Sequence, residues 1–248
     1  MILRRFTKHV TDQNWFAVGL DVLVVITGIF LGMQVTEWNE GRKERIQETI
    51  FMNRLHSEVI EGKAIFQTDF EMMEATKQRL DEVLNSFYDP QAKTVLDKTH
   101  CYAIFASHIY VQRAVTLPSL TELLASGQLS TIKNDPLKKA MVGYLLGRDG
   151  LKGLVEHFES VMLVLARKYS EFIQLDHRMR EYSQYKSYTN TCDFDGMKAS
   201  VAFNNDLIDN AGKQHDFVKF SLEQSEALTT IHTLLDAELG VSHDGEAP

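Results

Sequence analysis

A chain of 248 residues has room for one membrane segment and one helical domain, or for a single soluble domain. Four prolines and fourteen glycines are too few for a sandwich or barrel full of tight turns, and 24% charged with 44% hydrophobic residues excludes general disorder. A net charge of -8 argues against a nucleic-acid partner, which needs concentrated Lys and Arg, and two cysteines exclude a disulfide-rich scaffold or a four-thiolate zinc site.

The first twelve residues hold Arg4, Arg5 and Lys8 against one acid, Asp12, so residues 1–12 form a basic tip and the acidity lies beyond it. Residues 15–35 then carry a single charge, Asp21, with Thr27 and Gln34 as the other polar side chains. A helix of that length reaches about 31 Å, close to the hydrocarbon thickness of a bilayer. Trp15 and Trp38, the only two tryptophans, bracket it as interfacial anchors. A cleaved signal peptide has a shorter apolar core followed by a small-x-small site, whereas this run exits into MQVTEWNEGRKER. Residues 13–37 are therefore expected to form an uncleaved single-pass transmembrane helix, in preference to a buried core helix.

Asp21 lies about 9 Å inside Trp15, where a carboxylate costs up to about 2.5–3.5 kcal/mol at the helix centre and less near the edge. At about 100° per residue, Asp21, Val25, Gly28 and Gly32 share one narrow face. Gly28-x-x-x-Gly32 is the small-residue spacing that lets two helix backbones approach closely. Two readings stay open: the face packs on a second transmembrane helix that shelters Asp21, or Asp21 snorkels to the headgroups. Flanking basic residues nearly tie, Arg4, Arg5 and Lys8 against Arg42, Lys43, Arg45 and Arg54. The basic tip ahead of an apolar run, a signal-anchor layout, places the N-terminus in the cytoplasm and residues 38–240 outside it.

Beyond Trp38 the pattern is helical. Met52, Val59, Phe66, Met73, Leu80 and Phe87 recur every seventh position, while the companion line Leu55, Gly62, Asp69, Thr76 and Val83 is weak. One strong line predicts a helix packed in a bundle rather than a symmetric two-stranded coiled coil, continuing from the membrane to Asp89-Pro90. A second helix is predicted over residues 94–113, and a short one from Pro118 through Ala125, ended by Ser126-Gly127. Asn134-Asp135-Pro136 opens the strongest helix, whose 4-3 stepping from Leu137 through Tyr144, Leu151, Phe158, Leu165 and Phe172 reaches Met179. Gly143, Gly147, Gly150 and Gly153 line a neighbouring face, read as a close helix contact. Residues 182–195 read as loop; a last helix spans residues 203–239, with Leu207, Ala211, Val218, Leu228, Leu235 and Leu239 on one side and Gly240 as its stop. Residues 241–248 read as a disordered tail. The fold class is all-α, with no convincing strand: a transmembrane helix continuing into a long helix of an antiparallel bundle.

Nine histidines are scattered, and none is read as half of a metal-ligand pair. No phosphate loop, nucleophile elbow or dinucleotide fingerprint occurs, and Asp193-x-Asp195-Gly196 is only a fragment of a calcium loop. No catalytic residue, cofactor site or metal site is assigned. Cys101 and Cys192 form a candidate disulfide if the bundle lies in an oxidising space; the alternative is two unrelated thiols. The bond would close a loop of roughly 90 residues and contribute on the order of 4 kcal/mol.

The segment DVLVVITGIFLGMQVTEWNEGRKER, with Asp21, Gly28, Gln34, Trp38, Asn39 and Glu40, resembles an uncharacterised family of bacterial single-pass inner-membrane proteins whose N-terminal helix ends in Gln-x-x-x-Trp-Asn-Glu. Residues 121–145, TELLASGQLSTIKNDPLKKAMVGYL, resemble that family's mid-chain segment, where a Ser-Gly pair precedes Leu-x-x-Ile and a charged helix start. The likeness covers the anchor well, the middle piece fairly and the last helix only in character. Where the family often has Glu in the membrane helix, this chain has Asp21, which preserves the carboxylate. The resemblance implies a bacterial inner-membrane location and no activity.

The expected function is a non-enzymatic membrane-anchored scaffold or accessory subunit, whose partners are membrane lipid and another transmembrane protein or a second copy of itself. A sensory or ligand-binding bundle is the alternative, with Arg178, Arg180, Tyr182, Tyr185 and Tyr188 as candidate lining and a separate partner for output.

Overall fold

A computed structural model describes the backbone of residues 15–110, 115–182 and 185–242, and their side chains apart from residues 15, 17 and 176–189. The basic tip 1–12 and most of the tail 241–248 lie outside the described residues. The chain divides into two compact units, one ending at Asn53 and one starting at Arg54.

Helix α1, Trp15–Tyr88, runs for 74 residues. Its first part is the one segment among the described residues that is long and apolar enough to cross a membrane, and none of that window is buried. Leu23, Ile29, Phe30 and Val35 are all exposed, so this stretch is no core helix. The two threonines in it satisfy their hydroxyls within the helix: Thr27 Oγ1 donates to the Leu23 carbonyl at 2.8 Å and Thr36 Oγ1 to that of Gly32 at 3.0 Å. Such back-bonding removes the cost of carrying a hydroxyl into an apolar medium.

The second unit is an antiparallel helical bundle. From Arg54 onward, α1 turns inward the line predicted for it: Val59, Phe66, Met73, Leu80 and Phe87 are buried. The weak companion line is buried too, at Leu55, Gly62, Asp69 and Val83. Gly62 is needed there, because a Cβ at this position would meet Val115 Cγ1 at 2.5 Å. Helix α1 stops at Tyr88, ahead of Asp89-Pro90.

Helix α2, Lys98–Ala106, is shorter than the predicted 94–113. Asp97 starts it by accepting from the backbone N–H groups of Thr99 and His100, and the His100 ring reaches back to Asp97 in the manner of a capping box, with Nδ1 3.1 Å from the Asp97 N. Helix α3, Pro118–Ala125, has the predicted bounds and leads through Gly127, at φ 70°, into a single 3-10 turn, Gln128–Thr131. Its N-cap residue, Leu117, offers no side-chain acceptor; Glu58 of α1 replaces one, accepting from Ser119 N at 3.1 Å and Ser119 Oγ at 2.6 Å.

Helix α4, Asp135–Ser160, starts where Asn134 Oδ1 accepts from Leu137 N and Pro136 occupies the first turn. It ends well before Met179, which corrects the long-helix expectation. A short turn, α5 (Leu165–Lys168), follows, then a hairpin of β1 (Ile173–Tyr182) and β2 (Tyr185–Cys192), then α6 (Phe194–Ala199) and α7 (Val201–Leu239). The strands pair antiparallel with Ile173 opposite Cys192 and Leu175 opposite Asn190, and the ladder is irregular between Asp176 and Met179. Residues 182–195, read as loop, are therefore largely strand and short helix.

The physical reason lies in α7. Asn210 Nδ2 donates to Ser107 Oγ and to the Leu163 carbonyl, and Gln214 Nε2 donates to the Ser107 and Ile109 carbonyls, all between 2.9 and 3.1 Å. Three of these four bonds go to irregular backbone just past α2 or α4, and the fourth to the Ser107 hydroxyl beside it. Carbonyls that a longer helix would have used internally are satisfied across the bundle instead. Beyond that break, the Tyr and Thr of YKSYTNTC suit a pleated ladder better than a helix.

Among the described residues, Leu80, Val83, Ala103, Ile104, Leu165, Ile173, Met197, Phe203 and Leu207 pack in one core cluster, and Met73, Leu151, Phe158, Phe217 and Val218 in another. Rising numbers on α1 and α4 meet falling numbers on α7, so α7 runs antiparallel to both. At its far end Gly240, at φ 64°, takes the left-handed stop predicted for it.

Candidate functional site

Among the described residues one cluster holds three metal-ligand side chains together: His56 of α1 with His232 and Asp236 of α7. Both histidines are buried and Asp236 is partly exposed. His56 sits beside Leu55 on the inward face of α1, and His232 lies between the buried Ile231 and Leu235, so the helix faces that make the core also bring the rings together. The spacing of His232 and Asp236, one helical turn, puts both side chains on one face of α7.

His56 Nε2 and Asp236 Oδ1 are 2.7 Å apart, and His232 Nδ1 lies 3.4 Å from Asp236 Oδ2. The two imidazoles stack with centroids 5.0 Å apart and planes 4° from parallel. One ligand atom from each of the three residues lies within 4.8 Å of the other two. The carboxylate thus faces both rings, one through each oxygen. Two imidazoles and a carboxylate suit borderline divalent metals rather than the hard cations that demand oxygen ligands.

The sequence carried a sign of this. His232-x-x-x-Asp236 is a histidine with carboxylate support at helical spacing, contrary to the reading that no such pair exists. What the sequence lacked was the register that sets His56 opposite, 180 positions from Asp236.

A second charged cluster serves packing. His100 lies between Asp97 Oδ1, 2.8 Å from Nδ1, and Glu82 Oε2, 2.8 Å from Nε2, which ties α2 to α1. The Thr99 hydroxyl, the His100 ring and the Thr99 backbone N–H hold the Asp97 carboxyl well below the usual carboxylate range. Asp206 is also held low: burial opposes this, but Lys168 Nζ at 2.5 Å and Tyr169 Oη at 2.7 Å outweigh it. Burial pushes the Tyr144 phenol up to about 12, and its hydroxyl donates to the Val115 carbonyl.

Of the residues singled out from sequence, Cys101 and Cys192 are joined as a disulfide, with Cα atoms 5.6 Å apart. Asn190 Nδ2, two positions before Cys192, donates to the Cys101 carbonyl, so α2 and β2 are fixed twice at one point. Asp21 is partly buried, and its Oδ2 is shielded without a hydrogen-bond partner among the described residues. On the same face Val25 is exposed, and Gly28 and Gly32 have nothing within 4 Å of a would-be Cβ. Trp38 is exposed; the Trp15 side chain lies outside the described residues. Arg178, Arg180, Tyr182, Tyr185 and Tyr188 fall on the hairpin, and their side chains also lie outside them. Asp193 is a helix cap, accepting from Gly196 N at 3.0 Å, which accounts for the calcium-loop fragment. Among the described residues, the glycine face of α4 makes contact only at Gly147, against Gln224 of α7; Gly143, Gly150 and Gly153 have nothing within 4 Å of a would-be Cβ.

Compared with protein-family models, curated proteins and solved structures, the chain matches none.

Proposed function

We propose that this protein is a single-pass bacterial inner-membrane scaffold or accessory subunit, non-enzymatic, with its N-terminus in the cytoplasm and its bundle in the periplasm. Within the membrane it binds a second transmembrane helix, from another protein or another copy, through Asp21, Val25, Gly28 and Gly32. The observation that carries this reading is the unburied apolar start of α1, with a shielded Asp21 oxygen that has no hydrogen-bond partner among the described residues and two open glycines on the same face. In hydrocarbon, such an oxygen costs free energy until a donor from a neighbouring helix reaches it, and the glycines let that helix come close. The Cys101–Cys192 bond favours the periplasmic side, since structural disulfides persist in oxidising compartments. The resemblance of the anchor to bacterial single-pass proteins points the same way.

Crosslinking in native membranes, followed by detergent extraction, tests the proposal. Wild-type protein is expected to carry a crosslinked transmembrane neighbour that Asp21→Leu and Gly28→Leu variants lose. A wild-type protein that runs as a lone monomer, or variants that keep the same neighbour, would refute it. Carboxyl-terminal reporter fusions, one active only in the periplasm and one only in the cytoplasm, test the orientation.

A further inference from the structure

We infer that His56, His232 and Asp236 form a structural binding site for one borderline divalent metal ion of the zinc class, which clasps α1 to α7. The inference concerns the bundle alone and stands whether or not the membrane reading holds.

Three observations combine. First, the donor set is chemically selective: two imidazole nitrogens and a carboxylate oxygen match zinc and its first-row neighbours, and supply too few oxygens for calcium or magnesium. Second, the donors are already gathered. Tetrahedral zinc, with bonds of about 2.0–2.1 Å, separates its ligand atoms by roughly 3.3 Å. Here the three ligand atoms lie within 4.8 Å of one another, and the Asp236 carboxylate already reaches both rings, through Oδ1 to His56 Nε2 at 2.7 Å and through Oδ2 to His232 Nδ1 at 3.4 Å. Third, the setting is built rather than incidental. Both imidazoles are at least nine-tenths shielded, they lie parallel at 5.0 Å, and one carboxylate spans them.

Two of the ligands come from one turn of α7 and the third from a helix far away in sequence, the arrangement of a staple. Asp236, with its side chain 21% exposed, is the side from which an ion and a completing water can enter. With ligands on α1 and α7 only, the ion would link the longest two helices and leave the rest of the bundle untouched.

The test uses the full chain, purified in detergent without a polyhistidine tag, stripped with a chelator and reloaded with Zn2+ alone. The expected result is one zinc retained per chain after gel filtration and a higher unfolding temperature than the stripped protein. His56→Ala and His232→Ala should each weaken retention at least tenfold, and Asp236→Asn should weaken it less. His157→Ala, an exposed histidine on α4, should change nothing. Wild-type protein that retains no zinc, or a His56→Ala/His232→Ala double variant that retains as much as wild type, overturns the site. Should the variants lose helical structure, Co2+ loaded into the wild type decides. Visible absorption bands of four-coordinate cobalt, abolished by stoichiometric Zn2+, support the site, and their absence overturns it.

Discussion

At the scale of single residues, two glycines with the same sequence character have opposite surroundings. Gly62 is buried in α1, and a methyl there would sit 2.5 Å from the stiff, branched Val115 side chain. Gly150 is exposed in α4 with nothing within 4 Å. Gly62→Ala should therefore lower stability by about 1 kcal/mol, since overpacking exceeds the gain in helix propensity. Gly150→Ala should raise it by about 0.5–1 kcal/mol, and denaturant titration followed by circular dichroism measures both. Glu58 gives a third case. Its carboxylate stands in for the missing cap of α3, so Glu58→Ala should cost about 1 kcal/mol and increase hydrogen exchange at Ser119. None of these environments could be read from a window of sequence, because Val115 and Ser119 are remote from the residues they touch.

At the scale of elements, the hairpin is the piece that depends most on others. Two strands alone are marginally stable in water. Here β2 is fastened to α2 by the Cys101–Cys192 bond and the Asn190 hydrogen bond to the Cys101 carbonyl, while Ile173 of β1 enters the core. Reduction should lower the unfolding free energy by roughly 2–4 kcal/mol. It should also open residues 173–192 to protease before any helix is cut; uniform digestion across the chain would contradict this ordering. Helices, by contrast, were largely legible. The seven-residue line of α1, the Pro118 and Asn134 starts, and the Gly127 and Gly240 stops all follow from local chemistry, and local chemistry holds where the side chain and the backbone group it caps are neighbours. The end of α4 was illegible for the converse reason. The 4-3 stepping continues by coincidence past Ser160, and beyond that point the Leu163 carbonyl is taken up by the Asn210 amide of α7 rather than by a longer helix.

At the scale of the whole bundle, acid should loosen it. Asp97, Asp135 and Asp206 all have carboxyls held below their ordinary range: Asp97 by the Thr99 hydroxyl and His100, Asp135 by Lys138, Asp206 by Lys168 and Tyr169 against the opposing effect of burial. Each folded value lies below the unfolded one, so the stabilisation is complete above the unfolded value near pH 4. It is lost as pH falls through the folded values. As these carboxyls protonate, the thermal unfolding midpoint should decline below about pH 4. Asp206→Asn should lower the midpoint at pH 7 and flatten the decline; an unchanged acid limb would assign the loss to other groups.

The sequence by itself determined the helical class, the apolar start of α1, most helix boundaries and the residues that face inward, because each depends on periodicity or on partners within a few positions. Only the tertiary structure decided where α2 and α4 stop, that residues 173–192 pair as strands, and that His56 meets His232 and Asp236. Those outcomes are set by the register of α7 against α1 and α4, and a register between helices far apart in sequence leaves no periodic trace in either one.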